Sequence, residues 1–155
     1  MGIFFPFGLL AQGSGAGNGM LTMAPKHRLI ELPERNDARG SMVFAQQPDH
    51  IPFEVKRFFA IHGVAAGASR GGHAHRVQHQ LLVVLTGKVT VTIDDGVTRT
   101  AVVLDRPNFA LYAPPMLWLE LDGFSADAVC IVLVSDIYTE GDYIRDRAEY
   151  LHLAR

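Results

Sequence analysis

The chain has one cysteine, Cys130, in 155 residues, and that scarcity excludes a disulfide framework. Cys130 sits inside the apolar run AVCIVLV, where a thiol behaves as a small buried hydrophobe, so a reducing, cytoplasmic setting is expected. An excess of one charge is also missing: 14 Lys and Arg stand against 16 Asp and Glu, a formal net charge of -2. With no block of like charges, no nucleic-acid or anionic-membrane partner is expected, and an anionic ligand must be held by a few local arginines. Long apolar runs are absent too. The segment from Ile3 to Ala11 is interrupted by Pro6, is too short to span a bilayer, and lacks the basic residues a secretory signal carries ahead of its apolar core, the first being Lys26. Residues 1–25, rich in Gly, Ser and Asn after their apolar start, are expected to form a flexible leader without chemistry, and residues 26–155 a single domain.

What the sequence does have is strands. From Phe53 onward, short apolar or alternating segments are separated by turn residues at intervals of about 8 to 12, the spacing of an all-β sandwich or barrel. FEVKRFFAI alternates from Phe53, and QLLVVLTGKVTVTIDDGVTRTAVVL reads as a strand to Leu85, a turn at Thr86-Gly87, a strand from Val89 to Ile93, an Asp95-Gly96 hairpin signal and a returning strand from Thr98 to Leu104. NFALYAPPMLWLEL is a strand broken by Pro114-Pro115, and DAVCIVLVS is a fully apolar one. Only TEGDYIRDRAEYLHL looks helical, with Thr139 expected as its cap and Asp142 three residues on. The fold these segments imply is a double-stranded β-helix, the jelly roll of the cupin kind, with a short C-terminal helix.

RGGHAHRVQHQ places His73, His75 and His79 just before the buried strand. Two residues apart on a strand, His73 and His75 face the same way, with Cα atoms about 6 to 7 Å apart. Cupins use that geometry to hold a metal through a Gly, five residues, His-x-His, three or four residues, Glu, six residues, Gly pattern. Here Gly67, His73, His75 and Gly87 keep the spacing, but Gln80 replaces the carboxylate and Leu119 stands where a later motif supplies a fourth ligand. A neutral amide is a poor donor for a divalent transition metal. A metal site therefore requires His79 to join the pair by a one-residue register change. Without a metal the two imidazoles form a proton-transfer device, or they are plain surface polar residues. Gly71-Gly72 beside the pair and the flanking Arg70 and Arg76 favour a ligand site.

These motifs, taken in order, resemble a known family: the sugar-nucleotide 3,4-ketoisomerases of the WxcM-like cupin group. LPERNDARGSMVFAQ, IPFEVKRFF, RGGHAHR, HQLLVVLTGKVTVTIDDG (the family's central hairpin), NFALYAPPMLWLEL and DAVCIVLVSDIYTEGDYIRD carry the likeness across residues 27–151. The resemblance implies a homodimeric jelly-roll isomerase needing neither metal nor cofactor. Its substrate would be a thymidine-diphosphate-linked 4-keto-6-deoxyhexose, in deoxysugar biosynthesis of the kind that serves lipopolysaccharide. It implies His73 and His75 as the acid/base pair, with His75 taken as the base and His73 as the relay, though the order between them stays open. Candidate substrate contacts are Arg57, His62, Arg70, Arg76, Gln80, Tyr112 and Trp118. The chain departs from the family at Ala60-Ile61-His62, where tyrosines are usual, and at Leu119, where a polar or basic residue is usual. A metal-dependent cupin enzyme, a binding module without catalysis and a nucleotide-sugar epimerase are the competing readings.

Overall fold

Side-chain alternation decides which face of each strand is buried, and in this chain it builds two layers. The computed structural model describes residues 27–154, so the expected leader lies outside the described residues. The first strands are β1 (Arg28–Glu31), β2 (Glu34–Asp37) and β3 (Gly40–Val43). The roll itself follows with β4 (Arg57–His62), β5 (Arg70–His75), β6 (Gln80–Thr86), β7 (Val89–Asp94), β8 (Arg99–Leu104), β9 (Phe109–Ala113), β10 (Trp118–Asp122) and β11 (Val129–Val134). After a 3-10 turn at Glu140–Asp142 come β12 (Tyr143–Ile144) and the helix α1 (Arg147–Leu153).

The strands form one five-stranded sheet in the order β1-β9-β6-β11-β4, a second in the order β12-β5-β10-β7-β8, and the separate hairpin β2-β3. From β4 to β7 the chain changes sheet at every connection, as it does again from β8 to β11. This crossing is the jelly roll that the sequence pattern implies. Within the two five-stranded sheets only β7 and β8 pair as sequence neighbours among the described residues, across Asp95-Gly96, where the Asp95 carboxylate accepts hydrogen bonds from the backbone N–H groups of Val97 and Thr98 at 2.9 and 2.7 Å.

Facing inner sides make the core. Leu82, Val84, Val91, Ile93, Leu111 and Val132 are almost fully buried there, and cutting one of the leucines to Ala would cost about 2 to 5 kcal/mol. On the outer side of the first sheet, Leu81 and Ala110 are covered by Leu32, Ile51, Phe53 and Val55. Outside the second sheet, Ala74 and Trp118 are covered by Ile144 and Tyr150 from the C-terminal segment.

Three expectations need correction. The Thr86-Gly87 turn does not close a central hairpin: β6 pairs with β9 and β11, while β7 pairs with β8 and β10. The turn passes the chain between sheets through a tight spot. Gly87 has φ +70°, and a Cβ there would lie 2.3 Å from Ser125 Oγ and 2.7 Å from Ala128 Cα. The FEVKRFFAI strand joins its ladder only at Arg57, since its partner β11 ends at Val134 and leaves residues 53–55 unpaired. The helix begins later than expected. Thr139 makes no side-chain cap; Asp146 caps instead, its carboxylate accepting from the Glu149 N–H at 2.7 Å, and Tyr143–Ile144 pair with His75 and Ala74 on the free edge of β5. A hydrogen-bonded edge and a better cap seven residues on outweigh helical periodicity.

Candidate active site

Strand β5 owes its placement to glycine. Gly71 and Gly72 both adopt positive φ, and the β5–β10 register slips between Leu119 and Glu120, so that His73 lies opposite Leu119 while Gly71 lies opposite Glu120. This bulge re-aims the strand just before the histidines. At Gly71 a Cβ would sit 2.6 Å from the Leu119 backbone oxygen, so no other residue fits that approach.

Beyond the bulge, His73 faces a cavity of about 420 Å³ between the two sheets, lined also by His62, Arg70, Gln80 and Tyr143. The remaining wall is apolar, from Phe59, Ala60, Ile61, Leu82, Leu119, Leu121 and Val132. Strand alternation fixes this membership. Gln80 and Leu82 of β6 point inward while His79 points out, and Leu119 and Leu121 of β10 point inward while Trp118 points out.

The two histidines differ in what surrounds them. Their rings meet edge to face with centroids 5.0 Å apart, and Tyr143 touches both at 4.9 and 4.4 Å. His73 Nδ1 is buried without a hydrogen-bond partner. Burial pushes the His73 pKa down to about 4, assisted by the charge of a protonated His75 and by Arg145; the Gly71 carbonyl and Glu140 oppose the shift only in part. His75 is 5% exposed and does not line the cavity. Its Nδ1 lies 2.7 Å from Asp142 Oδ2, and its Nε2 lies 3.5 Å from the Gln78 amide nitrogen. Burial lowers its pKa as well, against the raising effect of Asp142.

Of the other expected contacts, the structure brings His62, Arg70 and Gln80 to the cavity. It takes the rest elsewhere. Arg57 donates to Gln78 Oε1 at 3.1 Å and lies over the Phe59 and Tyr138 rings. Arg76 pairs with Glu149 at 2.5 Å on the surface. Tyr112 is on the outer face of the first sheet, stacked on His79 with its hydroxyl 2.8 Å from His79 Nδ1 and Arg28 over its ring. Trp118 donates to Glu120 at 2.9 Å and packs against Tyr150. The register change that would bring His79 to the pair does not occur, and among the described residues no three His, Cys, Asp or Glu side chains are grouped to hold a metal.

Tyr143, Asp142 and Gln78 take positions at the site that sequence reasoning missed. Tyr143 and Asp142 were hidden inside the expected helix. Gln78 carried a usable signal: in RVQHQLLVVL it shares the parity of Gln80 and Leu82, so an inward amide follows from the strand pattern.

The chain is similar to known proteins over most of its length. The chain is 40% identical over 120 residues, 77% of its own length and 86% of the other's, to the TDP-4-oxo-6-deoxy-alpha-D-glucose-3,4-oxoisomerase of Aneurinibacillus thermoaerophilus. Its fold superposes on the sugar 3,4-ketoisomerase QdtA of Thermoanaerobacterium thermosaccharolyticum, solved with TDP, with a TM-score of 0.82 at 32% identity, covering 85% of this chain and 96% of that one. A mutant of QdtA has been solved with TDP-4-keto-6-deoxyglucose. The TDP-quinovose 3,4-ketoisomerase WlaRB of Campylobacter jejuni matches with a TM-score of 0.80 at 32% identity, covering 83% and 99%. Residues 25–155 match the family model described as FdtA: WxcM-like, C-terminal, and the chain belongs to that family.

Proposed function

We propose that the chain is a nucleotide-sugar isomerase that moves the keto group of a TDP-linked 4-keto-6-deoxyhexose from C4 to C3, as a step of deoxysugar biosynthesis. The observation that carries this reading is His73 on the wall of a largely apolar cavity, beside Tyr143 and Gln80. With its pKa near 4 the ring holds a free lone pair at neutral pH, the form a general base requires. The C3 proton passes to His73, its electron pair forms the C3–C4 double bond, and the C4 oxygen takes the negative charge. The O3 proton is then passed to O4, and His73, whose ring N–H exchanges with solvent while the enediolate lives, delivers a proton to C4. Tyr143 and Gln80 hold the two oxygens. Burial of His75 behind the wall favours His73 as the base, reversing the order implied by resemblance.

Arg70 and His62 at the mouth are assigned to the diphosphate and a sugar hydroxyl, and the apolar wall suits a hexose that carries a methyl group. The Ala60, His62 and Leu119 departures all line this cavity, so they bear on which sugar epimer is accepted. The test is incubation with TDP-4-keto-6-deoxyglucose in D2O, followed by NMR. A 3-keto product with deuterium at C4 supports the proposal; binding without exchange or product makes the chain a binding module, and exchange at C5 makes it an epimerase.

The homodimer is part of the same reading. Among the described residues the β2-β3 hairpin adds to neither sheet and one side of β4 is an open edge, and Phe58 and Met42 are 64% and 59% exposed. Light scattering is expected to give twice the chain mass, and a monomer at working concentration overturns it. Among the described residues no helix is long and apolar enough to cross a membrane. A cytoplasmic location is proposed from the buried lone thiol and the cytosolic origin of activated sugars.

A further inference from the structure

Behind the cavity wall runs a chain of four side chains that the proposed chemistry does not use directly. Arg57 Nη2 donates to Gln78 Oε1 at 3.1 Å, Gln78 Nε2 lies 3.5 Å from His75 Nε2, and His75 Nδ1 lies 2.7 Å from Asp142 Oδ2. The direction of every bond follows from its ends. A guanidinium only donates, so the Gln78 oxygen must face Arg57 and the amide N–H₂ must face His75. An ionised carboxylate only accepts, so the His75 proton must be on Nδ1. The Nε2 lone pair is then left to accept from Gln78.

Asp142 is itself fixed. Its Oδ1 accepts from the Val77 N–H at 2.8 Å and its backbone carbonyl from the Arg76 N–H at 2.9 Å. Gln78 is 2% exposed, so water cannot replace its amide.

We propose that Arg57 and Gln78 are positioning residues that, with Asp142 holding the proton on Nδ1, keep His75 in its neutral form, making it a fixed wall against which His73 keeps its orientation. A protonated His75 would need an acceptor at Nε2. Gln78 can offer one only by turning its oxygen away from Arg57 and setting two N–H groups against a guanidinium. Arg57 and Arg145 add positive potential, Asp142 alone opposes it, and His73 and Tyr143 are the remaining titratable neighbours. The role assigned to His73 rests on the isomerase reading; the tautomer of His75 does not.

The experiment is therefore read first without substrate. Long-range proton–nitrogen NMR of the histidine rings in the full chain is expected to show His75 as the neutral Nδ1–H tautomer across neutral pH, against the Nε2–H form that free histidine prefers. In Gln78→Met, which keeps the volume and removes both bonds, Asp142 still holds the proton on Nδ1, but the Nε2 lone pair loses its donor, so the His75 signals should shift toward the protonated state at a higher pH than in the wild type. Turnover should fall about tenfold or more with KM unchanged, toward the ~10²-fold cost of misplacing a reacting group. Gln78→Glu is not a rescue, since its carboxylate offers His75 an acceptor and should leave the ring protonated. A wild-type His75 found charged, or bearing its proton on Nε2, overturns the proposal, as does a Gln78→Met protein with unchanged ring signals. The wild-type spectrum decides even if that variant fails to fold. If the tautomer is as stated and no isomerase activity is found, the lock stands and the isomerase reading falls.

Discussion

Replacing His73 by Asn should remove a measurable part of the protein's acid sensitivity. Unfolded, the His73 ring takes a proton at its ordinary pKa of 6.5; folded, it resists protonation until about 4. Between those values the unfolded state binds more protons, so stability falls with falling pH, starting below the unfolded value and levelling off at the folded one. Full linkage gives a loss of ~2 kcal/mol from about pH 7 to about pH 5. The ring retains some solvent contact at the cavity, which screens the effect and brings the expected loss to ~1 kcal/mol. His75 shifts in the same direction but is present in both proteins, so the difference between wild type and His73→Asn isolates the one ring. Urea unfolding at the two pH values, followed by the fluorescence of the single buried Trp118, reads it. The wild type should lose about 1 kcal/mol more than the variant on acidification. Equal losses would show that the folded ring titrates normally, and the burial argument for a neutral base would fail.

Other perturbations separate positioning from packing. Gly71→Ala places a Cβ against the Leu119 carbonyl at a positive φ, so it should cost about 2 to 4 kcal/mol and displace His73; preserved stability and turnover would contradict the bulge's role. Asp142→Asn takes the ionised acceptor from His75, and kcat should fall well before KM changes in steady-state kinetics. Asp146→Ala should lower stability by ~1 kcal/mol without touching turnover, as measured by thermal unfolding, since it removes only the helix cap. Cys130, fully buried and with its thiol pushed up to about 12, should resist alkylation in the native protein and react only on unfolding; rapid native labelling would refute the packing around it.

The roll was legible because its signals are local and repeated. Alternation in β4 and β7, Asp95-Gly96 and the prolines between β9 and β10 each mark an element without reference to the rest. Pairing was less legible. Nothing within residues 80–94 says that β6 and β7 belong to different sheets, because that depends on Gly87 passing beneath Ser125 and Ala128, both distant in sequence. The same limit divided the site. Parity within one strand grouped His73 with His75, whose rings meet, and the cupin spacing singled out Gln80, which lines the cavity with His73. Parity could not say which side of a strand meets a cavity, so Tyr112 and Trp118, aromatic and near the right segments, point to outer faces instead. Asp142 and Tyr143 were lost to a helical pattern because the edge of β5 that captures them lies about seventy residues away.

The most direct test of the account is solvent deuterium delivered to C4 as the proton on C3 is removed. With TDP-4-keto-6-deoxyglucose in D2O, the wild-type protein is expected to incorporate solvent deuterium as the 3-keto sugar forms, while His73→Asn binds the nucleotide sugar with similar affinity and incorporates none. Undiminished exchange in His73→Asn would contradict the assignment of the base and, with it, the chemistry derived from this cavity.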